Sequence, residues 1–363
     1  MGYFIMNILI LTCCFGMGHY SAAQAVKEDL MKCDSNISVT IVDIIEWLFP
    51  MTNKVIYTFF NSFICKFSGI YNFINGIASK NSSKPLTKGK MKGIRKLMDK
   101  FKPDIIVSTW SGSTKYASKY KKVSKDNTPL YTYITDIEAH EGWYLDESDL
   151  YFVGTESTKE KLIENNIDSN KIVISGIPIR QAFKDANNYD KKNEKKEILL
   201  MGGGLGLIPC IWDILTPLSN DNRYSVTVIT GKNKRMYKKI KSRFPEINVI
   251  SYTKEVDKYM KNADIIVTKP GGISIFEAIY TYTPLFIINP TLSQEVINGK
   301  FIEENCIGKV VWNVDSNIDD MIVSVMEDDK LIGEMKENMQ LIKNDIEETR
   351  LRLIYKEKKA KCG

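Results

Sequence analysis

Short apolar runs recur along this chain, and nearly every one ends in glycine or small polar residues before a helix-like pattern begins. Runs of this length, rich in isoleucine and valine, read as parallel strands buried on both faces. They are Ile8 to Thr12, Ile37 to Ile44, Asp104 to Thr109, Leu130 to Ile134, Asp149 to Val153 and Ile172 to Ile174. After a charged gap they resume at Ile198 to Met201, Val226 to Ile229, Asn248 to Ser251, Ile265 to Val267 and Leu285 to Ile288. Strands alternating with helices specify an α/β fold of parallel sheets. The polar stretch 184–196 is the expected linker between two Rossmann-like domains, 1–183 and 197–363. The last helix is expected over Leu331 to Lys356, long, amphipathic and free to cross back to the first domain.

In open α/β sheets ligands bind at the carboxyl ends of the strands, so the residues in those turns matter most. The first strand ends in Phe15-Gly16-Met17-Gly18-His19, with a helix expected from about Ser21. The third glycine of a dinucleotide fingerprint is missing, which weakens that reading. His19 is one of only two histidines, placed where a general base would face the crevice. The glycines 202–206 precede an expected helix with Pro209 in its first turn, a candidate phosphate cradle of backbone N–H groups. A second such turn, Lys269-Pro270-Gly271-Gly272, leads into a helix carrying Ser274 and Glu277. Glu277 is placed to reach a ribose hydroxyl pair. A polar loop is expected to carry Gln294, Glu295 and Asn298, groups suited to sugar hydroxyls. Taken singly, each of these is an ordinary strand-turn-helix corner. The second histidine, His140, lies in the polar stretch Thr135 to Trp143.

Composition narrows the classes. Seven cysteines without a C-x-x-C pair read as reduced thiols of a cytosolic protein. The apolar start lacks a basic leader region and reads as a core strand, and no apolar run approaches the roughly 20 residues of a membrane span. Residues 47–102 hold 11 Lys or Arg against one acid, Asp99, so this segment alone accounts for the net charge of +6. Val55 to Ile77 has helical spacing with an aromatic-rich face. Such a helix commonly packs a core. Followed by a polybasic stretch, it also has the composition of an element lying on an anionic bilayer. No nucleic-acid recognition motif accompanies the charge, so no nucleic-acid partner is expected.

Together, in order, Gly16 to His19, Thr135-Asp136 with His140 and Trp143, Gly176 to Arg180, Met201 to Gly204, Thr268 to Glu277 and the Gln294-Glu295-Asn298 set resemble one family over nearly the whole chain. It is the GT-B glycosyltransferases of the diacylglycerol glucosyltransferase and monogalactosyldiacylglycerol synthase kind, related to the transferase that adds GlcNAc to the peptidoglycan lipid precursor. The resemblance implies two Rossmann-like domains facing a cleft and transfer of glucose or galactose from a UDP-sugar to diacylglycerol or a glycosyl-diacylglycerol. It implies His19 as the base, and nucleotide or phosphate contacts at Gly18, Gly203, Gly204, Tyr252, Val256, Gly272, Ile273, Ser274 and Glu277. Gln294, Glu295 and Asn298 would hold the donor sugar. Trp110, Asp136, His140 and Trp143 would lie on the acceptor side. No cofactor and no active-site metal are expected, and the implied place is the inner face of the cell membrane, peripherally bound. The chain departs from the family pattern at Trp110-Ser111, at Leu292-Ser293 and at Ile297, positions that bear on acceptor and donor choice. Alternative readings are another acceptor, a UDP-GlcNAc 2-epimerase-like enzyme, or a membrane-bound UDP-sugar sensor without catalysis.

Overall fold

The structure, a computed structural model, describes residues 5–15, 17–34, 36–64, 86–145, 147–185, 195–314 and 317–346, with the backbone alone over 59–64. The chain divides into two compact units that change over between Gln181 and Ala182, with Ile346 counted in the first.

The first unit is built on six parallel strands: β1 (Met6–Thr12), β2 (Ile37–Asp43), β3 (Ile105–Ser108), β4 (Leu130–Tyr133), β5 (Leu150–Val153) and β6 (Ile172–Ile174). Their order is β2-β1-β3-β4-β5-β6. The strand pattern explains the layering. Ile8 and Ile10 of β1 pack into one core with Val26 and Leu30, while Leu9 and Leu11 pack into another with Ile94 and Leu97. Alternation by two therefore buries both faces, and each such leucine contributes about 1.5–3 kcal/mol by leaving water. The helices are α1 (Gly18–Cys33), α2 (Ile44–Leu48), α3 (Asn53–Ile64), α4 (Lys88–Phe101), α5 (Ser111–Ser124), α6 (Glu156–Glu164) and, at the junction of the units, the single turn α7 (Gln181–Lys184). Asp43 starts α2 by accepting hydrogen bonds from the N–H groups of Ile45 and Glu46. α2 lies close on α4 at Gly93, where a Cβ would meet Leu48 at 2.6 Å. The Trp47 indole N–H donates to the Gly93 carbonyl there, at 2.9 Å.

The second unit repeats the plan with β7 (Lys196–Met201), β8 (Tyr224–Ile229), β9 (Asn248–Ile250), β10 (Ile265–Thr268), β11 (Leu285–Ile288) and β12 (Gly308–Val311), ordered β12-β11-β10-β7-β8-β9 and again all parallel. Its helices are α8 (Ile211–Leu218), α9 (Lys234–Arg243), α10 (Val256–Asn262), α11 (Gly272–Thr281), α12 (Ser293–Glu304), α13 (Ile318–Glu327) and α14 (Asp329–Asn344). In each unit the winding reverses beside the first strand, between β1 and β3 and between β7 and β10. Turns at those two places flank the ligand crevice of a doubly wound sheet.

Four expectations need correcting. First, α1 starts at Gly18, not near Ser21, because Met17 takes the left-handed conformation at φ 69° and turns the chain at once into the helix. Second, Pro209 precedes α8. The glycines close a short 3₁₀ turn, and the helix waits until Ile211, after Cys210 at φ 49°. Third, Gln294, Glu295 and Asn298 lie on α12, not in a loop, because the Glu295 carboxylate accepts from the N–H groups of Thr291 and Leu292 and starts the helix. Fourth, the expected last helix is α14, which starts two residues earlier, at Asp329, because Asp328 caps it by accepting from the Leu331 N–H, and which stops at Asn344. Residues 347–356 of that expected helix lie outside the described residues, as do Gly16, residues 65–77 of the aromatic helix and most of the linker. Among the described residues no helix is long and apolar enough to cross a membrane.

Candidate active site

In the first unit three strand ends converge on His19. Being second in α1, its ring sits at a helix N-terminus, which disfavours positive charge. Its Nδ1 lies 2.8 Å from the hydroxyl of Thr135, just beyond β4. Its backbone carbonyl accepts from the hydroxyl of Thr109, just beyond β3, at 2.9 Å, and that hydroxyl also reaches Thr12 at the end of β1 at 2.8 Å. Burial lowers the His19 pKa below the ordinary histidine value. The Asp136 carboxylate and a hydrogen bond to the Thr109 backbone work the other way but do not win. The imidazole is therefore neutral near pH 7. The tautomer that donates Nδ1–H to Thr135 leaves the Nε2 lone pair ready for a proton.

Behind His19 stands Asp136, only 5% exposed. Its Oδ2 accepts from the Trp143 indole N–H at 2.7 Å and lies 3.6 Å from His140 Nε2. His140 Nδ1 accepts from the Gly142 N–H at 3.1 Å, so Nε2 carries the hydrogen that faces Asp136. A buried carboxylate must be met by donors, and these two side chains are placed as donors. The exit of β1 is fixed from the other side: the Cys14 N–H donates to the Tyr57 hydroxyl at 3.1 Å, and that hydroxyl donates to Asp43. Burial and the Asp43 bond keep the Tyr57 phenol protonated.

The second unit offers backbone where the first offers side chains. Gly203 stands at φ 62°, and a Cβ there would meet nothing within 4 Å, so its peptide faces open space. The rest of the turn is tightly held. A Cβ on Gly206 would meet the Thr230 carbonyl at 2.0 Å, and one on Gly231 the carbonyls of Gly203 and Gly204 at 2.8 and 2.7 Å. The Lys232 N–H donates to the Gly204 carbonyl at 3.0 Å, and the Lys232 ammonium lies 5.9 Å from the ring of Tyr252 beyond β9. After β10, α11 opens at Gly271 with no side-chain cap, leaving its first N–H groups, those of Gly272, Ile273 and Ser274, without intrahelical partners. The turn before it is pinned by α12. Asn298 Nδ2 donates to the Pro270 carbonyl at 2.7 Å, and Lys269 pairs with Glu295 at 3.1 Å.

Sequence comparison matches these two halves to known families. Residues 19–179 match the family model described as monogalactosyldiacylglycerol (MGDG) synthase, and residues 197–349 match the glycosyltransferase family 28 C-terminal domain. The chain is 28% identical over 349 residues to the processive diacylglycerol beta-glucosyltransferase of Bacillus licheniformis, covering 92% of this chain and 90% of that protein. The chain belongs to the diacylglycerol glycosyltransferase family. Two solved structures are similar in fold. One is the glycotransferase of kitacinnamycin, with TM-score 0.66 and 10% identity over 97% of this chain and 99% of that one. The other is UDP-GlcNAc 2-epimerase from Neisseria meningitidis, with TM-score 0.59 and 16% identity over 98% and 100%. The fold is GT-B, two six-stranded parallel sheets with flanking helices.

Within this transferase the candidate residues divide between the two units. His19 and Asp136 come together with His140 in the first unit. In the second, Gly203 and Gly204 lie at the end of β7, Tyr252 beyond β9, and Gly272, Ile273 and Ser274 at the start of α11. Glu277 is buried one turn further on, and Val256 begins α10. Gly18, the first residue of α1, stands directly before His19. Trp110 lies beyond β3, its ring 5.6 Å from that of Phe15 and folded over Gly112, where a Cβ would meet it at 2.3 Å. Trp143 corrects its expected role. It is 0% exposed, packed among Ile134, Tyr151, Val153 and Leu162, so its ring does not reach an acceptor and its indole N–H serves Asp136. Asn298, at 2% exposure, likewise holds the Pro270 turn from behind; its Oδ1 has no hydrogen-bond partner. Gln294 is exposed in the first turn of α12. Gly231 and Lys232 were not singled out from the sequence. The Thr230-Gly231-Lys232-Asn233 turn is visible there, but its link to the Gly204 carbonyl is not. Among the described residues no group of three or more His, Cys, Asp or Glu is placed to hold a metal ion.

Proposed function

We propose that this protein is an inverting transferase that moves glucose or galactose from a UDP-sugar to diacylglycerol, or to a glycosyl-diacylglycerol, while bound peripherally to an anionic membrane surface. The observation that carries the reading is His19, a neutral imidazole hydrogen-bonded to Thr135 and backed by Asp136. As the acceptor hydroxyl oxygen attacks the anomeric carbon, His19 Nε2 takes its proton. The bond from that carbon to UDP breaks and the electron pair leaves with the diphosphate. Asp136 stabilises the imidazolium that forms. The leaving charge is met by the N–H groups of Gly203, Gly204 and the α11 N-terminus, with the Ser274 hydroxyl beside them. Tyr252 and Val256 border the uracil, Glu277 holds the ribose, and Gln294 with Glu295 contacts the sugar. Glu295 already accepts from Lys269 and two backbone N–H groups, so it has lone pairs for only part of a sugar contact. The basic segment 47–102 supplies the attraction to the membrane.

The test is a transfer assay with liposomes holding diacylglycerol and anionic lipid, and labelled UDP-glucose, UDP-galactose and UDP-GlcNAc in parallel. A labelled glycolipid from a hexose donor is the expected product. Release of free sugar or an epimerised sugar without lipid product would overturn the assignment.

A further inference from the structure

Lys232 combines a fixed backbone with a side chain held only by an aromatic ring. It stands just beyond β8, which lies between β7 and β9 in the sheet of the second unit. The glycine turn 202–206 leaves β7 on one side, and Tyr252 lies beyond β9 on the other. Two bonds latch the Thr230–Asn233 turn to those glycines. The Lys232 N–H donates to the Gly204 carbonyl at 3.0 Å, and Asn233 Nδ2 donates to the Gly206 carbonyl at 3.5 Å. The Asn233 side chain also starts α9, by accepting from the Met236 N–H at 3.0 Å. The Lys232 backbone is therefore fixed against the candidate phosphate cradle, and its N–H is already engaged there.

The ammonium is held far more loosely. The residue is exposed, and its charge stands 5.9 Å from the centre of the Tyr252 ring. A cation over a ring at an exposed site is a weak hold. Among the described residues no carboxylate pairs with Lys232. Lys269, in the turn before α11, is by contrast paired with Glu295 at 3.1 Å. The chemistry gives such a cation a use. Peptide N–H groups at a turn or helix start carry partial charges, whereas the diphosphate gains negative charge as its bond to the sugar breaks. A lysine meets phosphate oxygens as a point charge with rotatable donors, and its flexible stem lets the ammonium move while the backbone stays latched.

We propose that the Lys232 ammonium leaves the Tyr252 ring for the diphosphate of the UDP-sugar and stabilises it as UDP departs. The proton stays on the lysine, which neutralises charge and transfers nothing. The inference rests on the nucleotide-site reading above and deepens it, because one charged side chain would join the backbone donors at the leaving group.

The test compares the full-length parent with Lys232→Met, Lys232→Arg and the charge-matched control Lys234→Met, exposed at the start of α9. UDP and uridine affinities are read by calorimetry, and kcat by the liposome transfer assay. Lys232→Met is expected to raise the UDP Kd about tenfold and to lower kcat about tenfold or more, with the uridine Kd unchanged. Lys232→Arg should restore most of both, and Lys234→Met should shift the UDP Kd by less than about twofold. Equal losses in Lys232→Met and Lys234→Met would overturn the specific pairing and leave only diffuse attraction. An equal loss of uridine affinity would place Lys232 at the base, through Tyr252, and overturn the contact with the diphosphate. An unchanged kcat would overturn the role at the leaving group. A parent that binds no UDP would instead overturn the nucleotide-site reading itself.

Discussion

The two units are built alike but hold their key groups differently. Around His19 the structure spends side chains: Thr109, Thr135, Asp136, Trp143 and His140 each fix a neighbour by a named contact. Around the 202–206 turn and the start of α11 it spends backbone, and at Gly206 and Gly231 carbonyls at 2.0–2.8 Å exclude a side chain. The difference follows from the task each is assigned. Proton transfer needs one lone pair at one pKa, which a polar enclosure can set. Holding a diphosphate needs several donors aimed at one point, which peptide N–H groups at a turn and a helix start supply without rotamer entropy.

The comparison breaks most sharply at His19. His19→Ala is expected to lower kcat by about 10²–10⁴-fold while UDP affinity, read by calorimetry, stays within error. Loss of both together would mean the two units do not divide the work. Next is Gly231→Ala. With φ at 54° and two carbonyls in the way, the new methyl group shifts the 202–206 turn. UDP Kd is expected to rise about tenfold or more, an effect of about 1.4 kcal/mol, with folding monitored by urea titration. An unchanged Kd would remove the glycine turn from the nucleotide site. The smallest effect is Ser274→Ala, which removes one hydroxyl and leaves the N–H donors. UDP Kd is expected to rise about two- to tenfold, the worth of one neutral hydrogen bond. A larger loss would shift weight from backbone to side chain and blur the contrast.

Eleven of the twelve described strands were legible because they are apolar runs closed by turn residues, as burial on both faces demands; β12, Gly308–Val311, was missed because it is an edge strand opening with glycine and lysine. The places misread come from an unusual backbone angle, a local side-chain cap or a packing contact distant in sequence. Met17 and Cys210 adopt left-handed angles without being glycine, so the starts of α1 and α8 carried no signal. α12 begins where Glu295 reaches back to Thr291 and Leu292, a cap that polar residues alone do not announce. An aromatic beside a histidine looks like a binding residue; only the packing of Trp143 against Tyr151 and Leu162 shows it to be core. Lys232 escaped notice because its tie to the glycine turn runs through its own backbone N–H. His19 and the glycine turns were readable because the carboxyl end of a parallel strand is where such residues have chemical use.

The account rests most on His19 being a neutral base whose pKa Asp136 helps to set, and a pH profile addresses that directly. In the parent, kcat/KM should fall on the acid side with an apparent pKa below the ordinary histidine value, since protonation removes the base. The Asp136 carboxylate favours the imidazolium, so Asp136→Asn, which still accepts from Trp143, should move that limb to lower pH. A limb that stays in place or moves upward in Asp136→Asn would contradict the assignment of His19 as the proton acceptor.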